Sequence, residues 1–342
     1  MTPDTSLGAG VSVDTIGAVD GHRRRGQLQV VVGATLFAAN ASVSKVVLDA
    51  GIEPARLTAL RCMGAAVVLG LFLAVTQPSR LRVAWRDLPT LAVLGLAGAA
   101  LIQWLYFVAI DRLPVGIALL LEFTGPLLIA LYTRVVLRHA VARQVWLALA
   151  IALAGLAMVA EVWRDAGLDP VGVAAGLAAA ACLATFYLLG QHTVERRDPL
   201  NLAFWMFAFA AAFWSVLQPW WNFDAAVLAE RTSLLGRLDG VDVPVWLALA
   251  WVVVLGTLAP YAFEVAALRY IPATTTGIIG MIEPVVAAAV AWVWLEQVLG
   301  ATQLAGGALV LVGVGLVQLA RTPAAAPVPP PLPDPAADAL VG

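Results

Sequence analysis

The sequence predicts an all-α integral membrane protein of ten transmembrane helices, arranged as two inverted five-helix repeats. Three observations carry that expectation: a shortage of charge, a succession of apolar runs of membrane length, and the return of the same residues half a chain later. Of the 342 residues, 61% are hydrophobic and 12% charged, where a soluble domain carries about 25% charged. Mean hydropathy is +0.89. The missing water-facing surface implies lipid.

A hydrocarbon core of about 30 Å takes about 20 mostly apolar residues per helix. Such runs fall at 28–48, 55–76, 88–110, 115–137, 144–161, 170–190, 200–219, 244–268, 273–295 and 301–320. They are apolar on every face, whereas barrel strands alternate apolar and polar positions, and helices satisfy their own backbone groups inside lipid. The chain then divides into a disordered cytoplasmic tail at 1–26, a first repeat at 27–161, an external linker at 162–169, a second repeat at 170–320 and a Pro/Ala-rich cytoplasmic tail at 321–342. The first run follows Arg23-Arg24-Arg25 but is too long for a signal peptide and lacks a small-residue cleavage site, so it reads as an uncleaved span. Between the seventh and eighth runs, Val227, Leu228, Leu234, Leu235 and Leu238 lie at roughly helical spacing, which suits either a short surface helix or an irregular loop.

Basic residues set orientation, because short cytoplasmic loops concentrate them. With the N-terminus inside, Arg23, Arg24, Arg25, Arg80, Arg82, Arg86, Arg138, Arg143, Arg196, Arg197, Arg269 and Arg321 are cytoplasmic, against Arg56, Arg112, Arg164, Arg231 and Arg237 outside. Both termini are therefore expected in the cytoplasm. Lys45 is the lone lysine, an arginine bias that fits a GC-rich bacterial gene and a bacterial plasma membrane.

A shift of 158 residues pairs Ala109 with Ala267, Pro114 with Pro272, Pro126 with Pro284, Leu137 with Leu295 and Gly155 with Gly313. Five spans per half force the second half to enter the membrane from the opposite side. Inverted repeats of this kind are a design of secondary transporters, with the solute site near the midplane and alternating access around it.

Residues 109–126 read AIDRLPVGIALLLEFTGP, and residues 267–313 carry the matching loop, its proline, and Glu283-Pro284 followed by Glu296, Gln303 and Gly307. These two copies resemble the EamA family of the drug/metabolite transporter superfamily, over about 290 residues. The stretch Pro114 to Pro126 is similar to bacterial threonine/homoserine exporters, while Gly280 to Pro284 resembles a more generic member. The resemblance implies export of small polar metabolites such as amino acids, with other metabolites or drugs as the alternative.

Ionisable groups inside spans cost about 2.5–3.5 kcal/mol on insertion scales and usually face a cavity or a partner. Here they are Lys45, Arg61, Glu122, Glu264 and Glu283. Glu122 lies one turn before Pro126, and proline frees the carbonyl one turn back, so Glu122, Thr124 and local carbonyls could hold an ammonium group or a proton. The bland reading is a buried acid paired with Arg61 or Lys45. Glu283 precedes Pro284 but matches Gly125 at the 158-residue shift, so it suits a helix break as well as a ligand. Glu264, four residues after Pro260, matches Tyr106. The family's third and eighth spans imply that Gln103, Trp104, Tyr106, Tyr261 and Glu264 line the path, although Trp and Tyr also anchor at membrane interfaces. Lys45 and Arg61 are near enough to the outer surface to snorkel, or to pair with Glu122 or a substrate carboxylate. Asn40 and Ser44 form a weak polar stripe, equally suited to helix contact, and Gly172 and Gly176 a small-residue packing motif.

The partners expected are a small-molecule solute, the bilayer and protons as coupling ion, with a homodimer left open and no nucleic acid. No metal or cofactor is called for: Cys62 and Cys182 lie in Ala-rich spans, and His22, His139 and His192 fall outside spans or at their ends. The absence of a His-Glu-x-x-His motif and of paired carboxylates at a surface argues against a membrane enzyme. A non-transporting sensor is the other class to be separated from a carrier.

Overall fold

The computed structural model describes residues 13–113, 115–163, 169–296 and 298–319. Among them, nine helices are long and apolar enough to cross a membrane. They are α1 (Gly21–Asp49), α2 (Pro54–Thr76), α3 (Trp85–Ala109), α4 (Ile117–Val135), α6 (Pro170–Val194), α7 (Pro199–Leu217), α8 (Val245–Ala267), α9 (Ala273–Trp294) and α10 (Ala301–Leu319). The expected fifth span is the apolar helix α5 (Arg143–Val159) of 17 residues. At 1.5 Å per residue it reaches about 26 Å, short of a full hydrocarbon core.

One expectation needs correcting. The helix that contains α1 begins at Val13, so residues 13–26 are helical and not a disordered tail. Of the two readings of the segment after α7, the structure fits the irregular loop and not one surface helix: it holds short 3-10 turns at Trp220–Asn222, Ala225–Ala229 and Gly236–Leu238 and an antiparallel ribbon of β1 (Arg231–Ser233) and β2 (Asp242–Pro244). Its apolar residues instead pack as a patch on α1, α2 and α8, with Phe223, Val227, Leu228 and Leu234 against Val43, Val46 and Val245. Position 114, most of the linker and the tail from 321 lie outside the described residues.

The inversion can be read from contacts. Gly155 backs onto the Gly306 carbonyl, and Gly313 backs onto the Ala148 carbonyl. The position rises from 306 to 313 on α10 while it falls from 155 to 148 on α5, so these equivalent helices run antiparallel. The 158-residue shift also converts the first contact into the second, since 155 becomes 313 and 306 becomes 148. Packing follows the same symmetry: α3 lies on α6 and α1 on α8, α4 lies on α6 and α1 on α9, while α2 meets α7 and α5 meets α10. Large apolar side chains such as Leu71, Val75, Val135 and Trp292 stay exposed on the outside of the bundle, as a lipid-facing surface requires.

Candidate functional site

Four of the helices are interrupted, at equivalent places. In α4 the helix breaks at Phe123 and Thr124 before Pro126, and in α9 at Met281 before Pro284. In α3 and α8 the turn widens to a π-helix at Leu96–Leu101 and Val254–Leu258, a feature frequent at functional sites. The 158-residue shift places Gly98 on Gly256, one in each widened turn.

Each of these two glycines has a carbonyl left over for a side chain. Pro260, four residues beyond Gly256, has no N–H to return to it. In α3 the equivalent residue is Ile102, whose N–H goes to the Ala97 carbonyl instead of Gly98. Tyr261 then donates its hydroxyl to the Gly98 carbonyl at 2.7 Å, and Arg61 donates to the Gly256 carbonyl at 3.3 Å. Both glycines also let a side chain come close: Phe186 lies against Gly98, and the Asn40 amide lies against Gly256.

These groups bound a cavity of about 530 Å³ between the repeats, a size typical of ligand sites. Its wall includes Asn40, Ser44 and Lys45 of α1, Arg61 of α2, Gln103 and Tyr106 of α3, Glu122 of α4, Tyr187 of α6, Tyr261 and Glu264 of α8, and Glu283 and Pro284 of α9. It extends to Leu48, Ala291 and Leu295, and so toward the end of the bundle where α1 and α9 finish. The exposed Lys45 lies on that side. At mid-depth the Tyr261 ring meets Phe37, Phe186 and Phe207 edge-on at 5.2–5.6 Å, and Tyr187 donates to Glu264 Oε2 at 3.3 Å.

Arg61 is buried, so it does not snorkel, and its bonds go to neutral groups: Thr257 Oγ1 at 2.8 Å, Gln103 Oε1 at 3.1 Å and the Gly256 carbonyl. Glu122 is not among those partners. Thr124 does not reach the cavity, since its hydroxyl bonds the Leu121 carbonyl at 2.6 Å. Trp104, 44% exposed, points away from the cavity onto the outer surface, where an interfacial or lipid-facing ring belongs. Pro126 packs on Gly277, the first half's break lying on the second half's helix. Gly172 and Gly176 meet Leu113 and Leu121, as close-packing residues.

The opposite end of the bundle is sealed. Arg197 pairs with Asp87 and donates to Asn201 Oδ1 at 3.0 Å, Arg80 pairs with Asp198 at 3.2 Å, and Asn201 donates to the Arg80 carbonyl. Arg269 donates to the Arg197 carbonyl at 2.7 Å, and Arg23 to the Gln318 carbonyl at 2.7 Å. Most of these bonds join one repeat to the other.

Sequence reasoning missed Tyr187, Gly98, Gly256 and Thr257. The two glycines carried a signal, being in register at the shift that pairs the prolines. Tyr187 carried none, because it sits in an apolar helix and the 158-residue shift pairs it with Gln29 and not with a second tyrosine.

A bundle of two antiparallel repeats, with a charged chamber between them that is closed at one end, defines a solute carrier of the membrane. The EamA-like transporter family model matches residues 24–160 and again 170–319, and the chain belongs to that family. It is a multi-pass membrane transporter and not an enzyme. It is 31% identical over 262 residues to the threonine/homoserine exporter RhtA of Escherichia coli strain K12, covering 76% of this chain and 80% of the relative. With the exporter of the same name from Salmonella typhimurium strain SL1344 it shares 30% over 279 residues, 81% of this chain and 85% of the relative. An uncharacterized transporter of Archaeoglobus fulgidus is 25% identical over 292 residues, 85% of this chain and 95% of the relative. A solved crystal structure covering 87% of this chain and 96% of its own superposes with a TM-score of 0.65 at 20% identity, a likeness of fold.

Proposed function

We propose that this transporter exports small polar metabolites, amino acids such as threonine and homoserine, by alternating access. The observation that carries the reading is the chamber itself: Arg61, Glu122, Glu264 and Glu283 surround one space between the repeats. Charged groups at this depth are costly unless they serve a pathway or a partner. A zwitterionic solute gives both signs of charge something to meet. The naming of the two exporters at about 30% identity supports the same substrate class.

In this reading the arginine-rich end, with both termini, is cytoplasmic, and the chamber opens outward in the state that follows solute release. Return to the inward state requires breaking the bonds of Arg197, Arg80 and Arg269 and closing the helix ends around Lys45 and Leu295. Protons are the coupling ion, carried by one of the chamber glutamates. The test is growth of a bacterium on inhibitory threonine, homoserine and their analogues, with the protein expressed and with the empty vector. Resistance together with a raised extracellular amino acid pool is expected. Resistance to unrelated drugs alone, with no change in amino acid pools, would overturn the substrate class.

A further inference from the structure

Arg61 carries the chamber's least explained charge. It is 7% exposed, it faces the cavity, and among the described residues no carboxylate lies within 4 Å of it. Its three hydrogen bonds to Thr257, Gln103 and the Gly256 carbonyl all go to neutral acceptors. A guanidinium has five N–H donors, so two N–H groups remain for a ligand while the other three fix the plane of the fork. A buried cation without an anion is strongly unfavourable, and a carboxylate placed in the fork removes that cost with charge-assisted bonds.

A second, independent observation lies on α1. Asn40 is 5% exposed and lines the same cavity, and its Oδ1 has no hydrogen-bond partner. Its amide rests on Gly256, the residue whose carbonyl receives Arg61. One turn further along α1, the buried Ser44 Oγ is also without a partner. A fixed cation and an unpartnered acceptor thus converge on the same turn of α8.

We propose that Arg61 is the carboxylate anchor of the transported solute and that Asn40 Oδ1 accepts from its α-ammonium group, so that the chamber selects free α-amino acids over their carboxylate-less analogues. The glutamates at 264 and 283 supply the countercharge for the ammonium group, and Ser44 meets a polar side chain. This assignment rests on the chamber being the solute site. It adds the recognition element: Arg61 is a positioning charge that distinguishes a carboxylate from an alcohol.

The experiment is competition in proteoliposomes holding the purified full chain, with labelled L-threonine uptake opposed by L-threonine or by L-threoninol, in which a hydroxymethyl group replaces the carboxylate. The wild-type protein is expected to favour threonine by about tenfold or more, the size of a lost charge-assisted bond. Arg61→Gln should lose that preference by weakening threonine alone, and Arg61→Lys should restore part of it. Should Arg61→Gln fail to fold, Asn40→Leu is the second variant, expected to weaken threonine while leaving discrimination against threoninol in place. Equal competition by threonine and threoninol in the wild-type protein would overturn the anchor while leaving the carrier intact. An absence of threonine uptake by the wild-type protein would overturn the carrier's substrate class, and the anchor with it.

Discussion

At Gly256 the missing side chain leaves room for the Asn40 amide, and the carbonyl that Pro260 leaves without a donor turns to Arg61. Replacing this glycine by alanine puts a methyl group into the Asn40 side chain. Overpacking of this kind costs about 1–3 kcal/mol, so Gly256→Ala is expected to lower the thermal midpoint in detergent and to reduce threonine uptake together. Retained uptake would mean that Asn40 and Arg61 are not held by this turn. Glu122 poses a different question, whether the acid serves solute or fold. Glu122→Gln keeps the shape of the side chain and is expected to abolish or strongly reduce transport, with an unchanged elution profile on size exclusion. A variant that transports normally but melts early would make Glu122 a structural acid. Much of this residue-level detail was hidden in the sequence. Glu122, Glu264 and Glu283 stood out because charge in an apolar run is rare, but the partners of Arg61 lie 42 and more positions away, on α3 and α8. Only tertiary packing selects them.

The interrupted helices place the site, because residues at or beside each break, among them Gly98, Glu122, Tyr261 and Glu283, line the chamber. Prolines marked three of the four interruptions, at 126, 260 and 284. The fourth, in α3, has Ile102 at the equivalent place, so the widened turn there forms without a missing donor, in a segment packed on α6 and α7. That is why it had no sequence signal. The α5–α10 contact has one: Gly155 and Gly306 approach backbone to backbone, as small residues allow in lipid. Gly155→Leu is expected to destabilise the protein by about 1–3 kcal/mol, read as a lower midpoint in a fluorescence-detected thermal shift. A midpoint equal to wild type would show that the two helices are free to separate. At the sealed end, the Arg197 bonds to Asp87 and Asn201 hold α7 to the start of α3. Arg197→Ala should loosen this closure and raise the labelling of a cysteine placed at Ala273 by a water-soluble maleimide, in a background without Cys62 and Cys182. Labelling unchanged from the parent would show that the seal does not depend on this pair.

For the whole molecule, composition and the succession of apolar runs made the class legible, and the repeated prolines made the duplication legible. The fifth span came out short, and the first helix begins earlier than hydropathy indicates, since hydropathy marks where a helix meets lipid and not where it starts. The spacing in the segment from Trp220 to Val243 suits a surface helix or a loop alike, because leucines that line one side of a helix can equally cover a patch on the bundle end. The arrangement of two antiparallel repeats around one charged chamber is what makes transport by rocking possible.

The most direct test of that chamber is counterflow in proteoliposomes: vesicles loaded with unlabelled threonine, labelled threonine outside, and the wild-type protein compared with Ala287→Trp, which fills the wall lined by α9. Transient accumulation of label by the wild-type protein, and its loss in a variant that still folds, is the predicted result. Equal accumulation by both proteins would contradict passage of solute through this chamber.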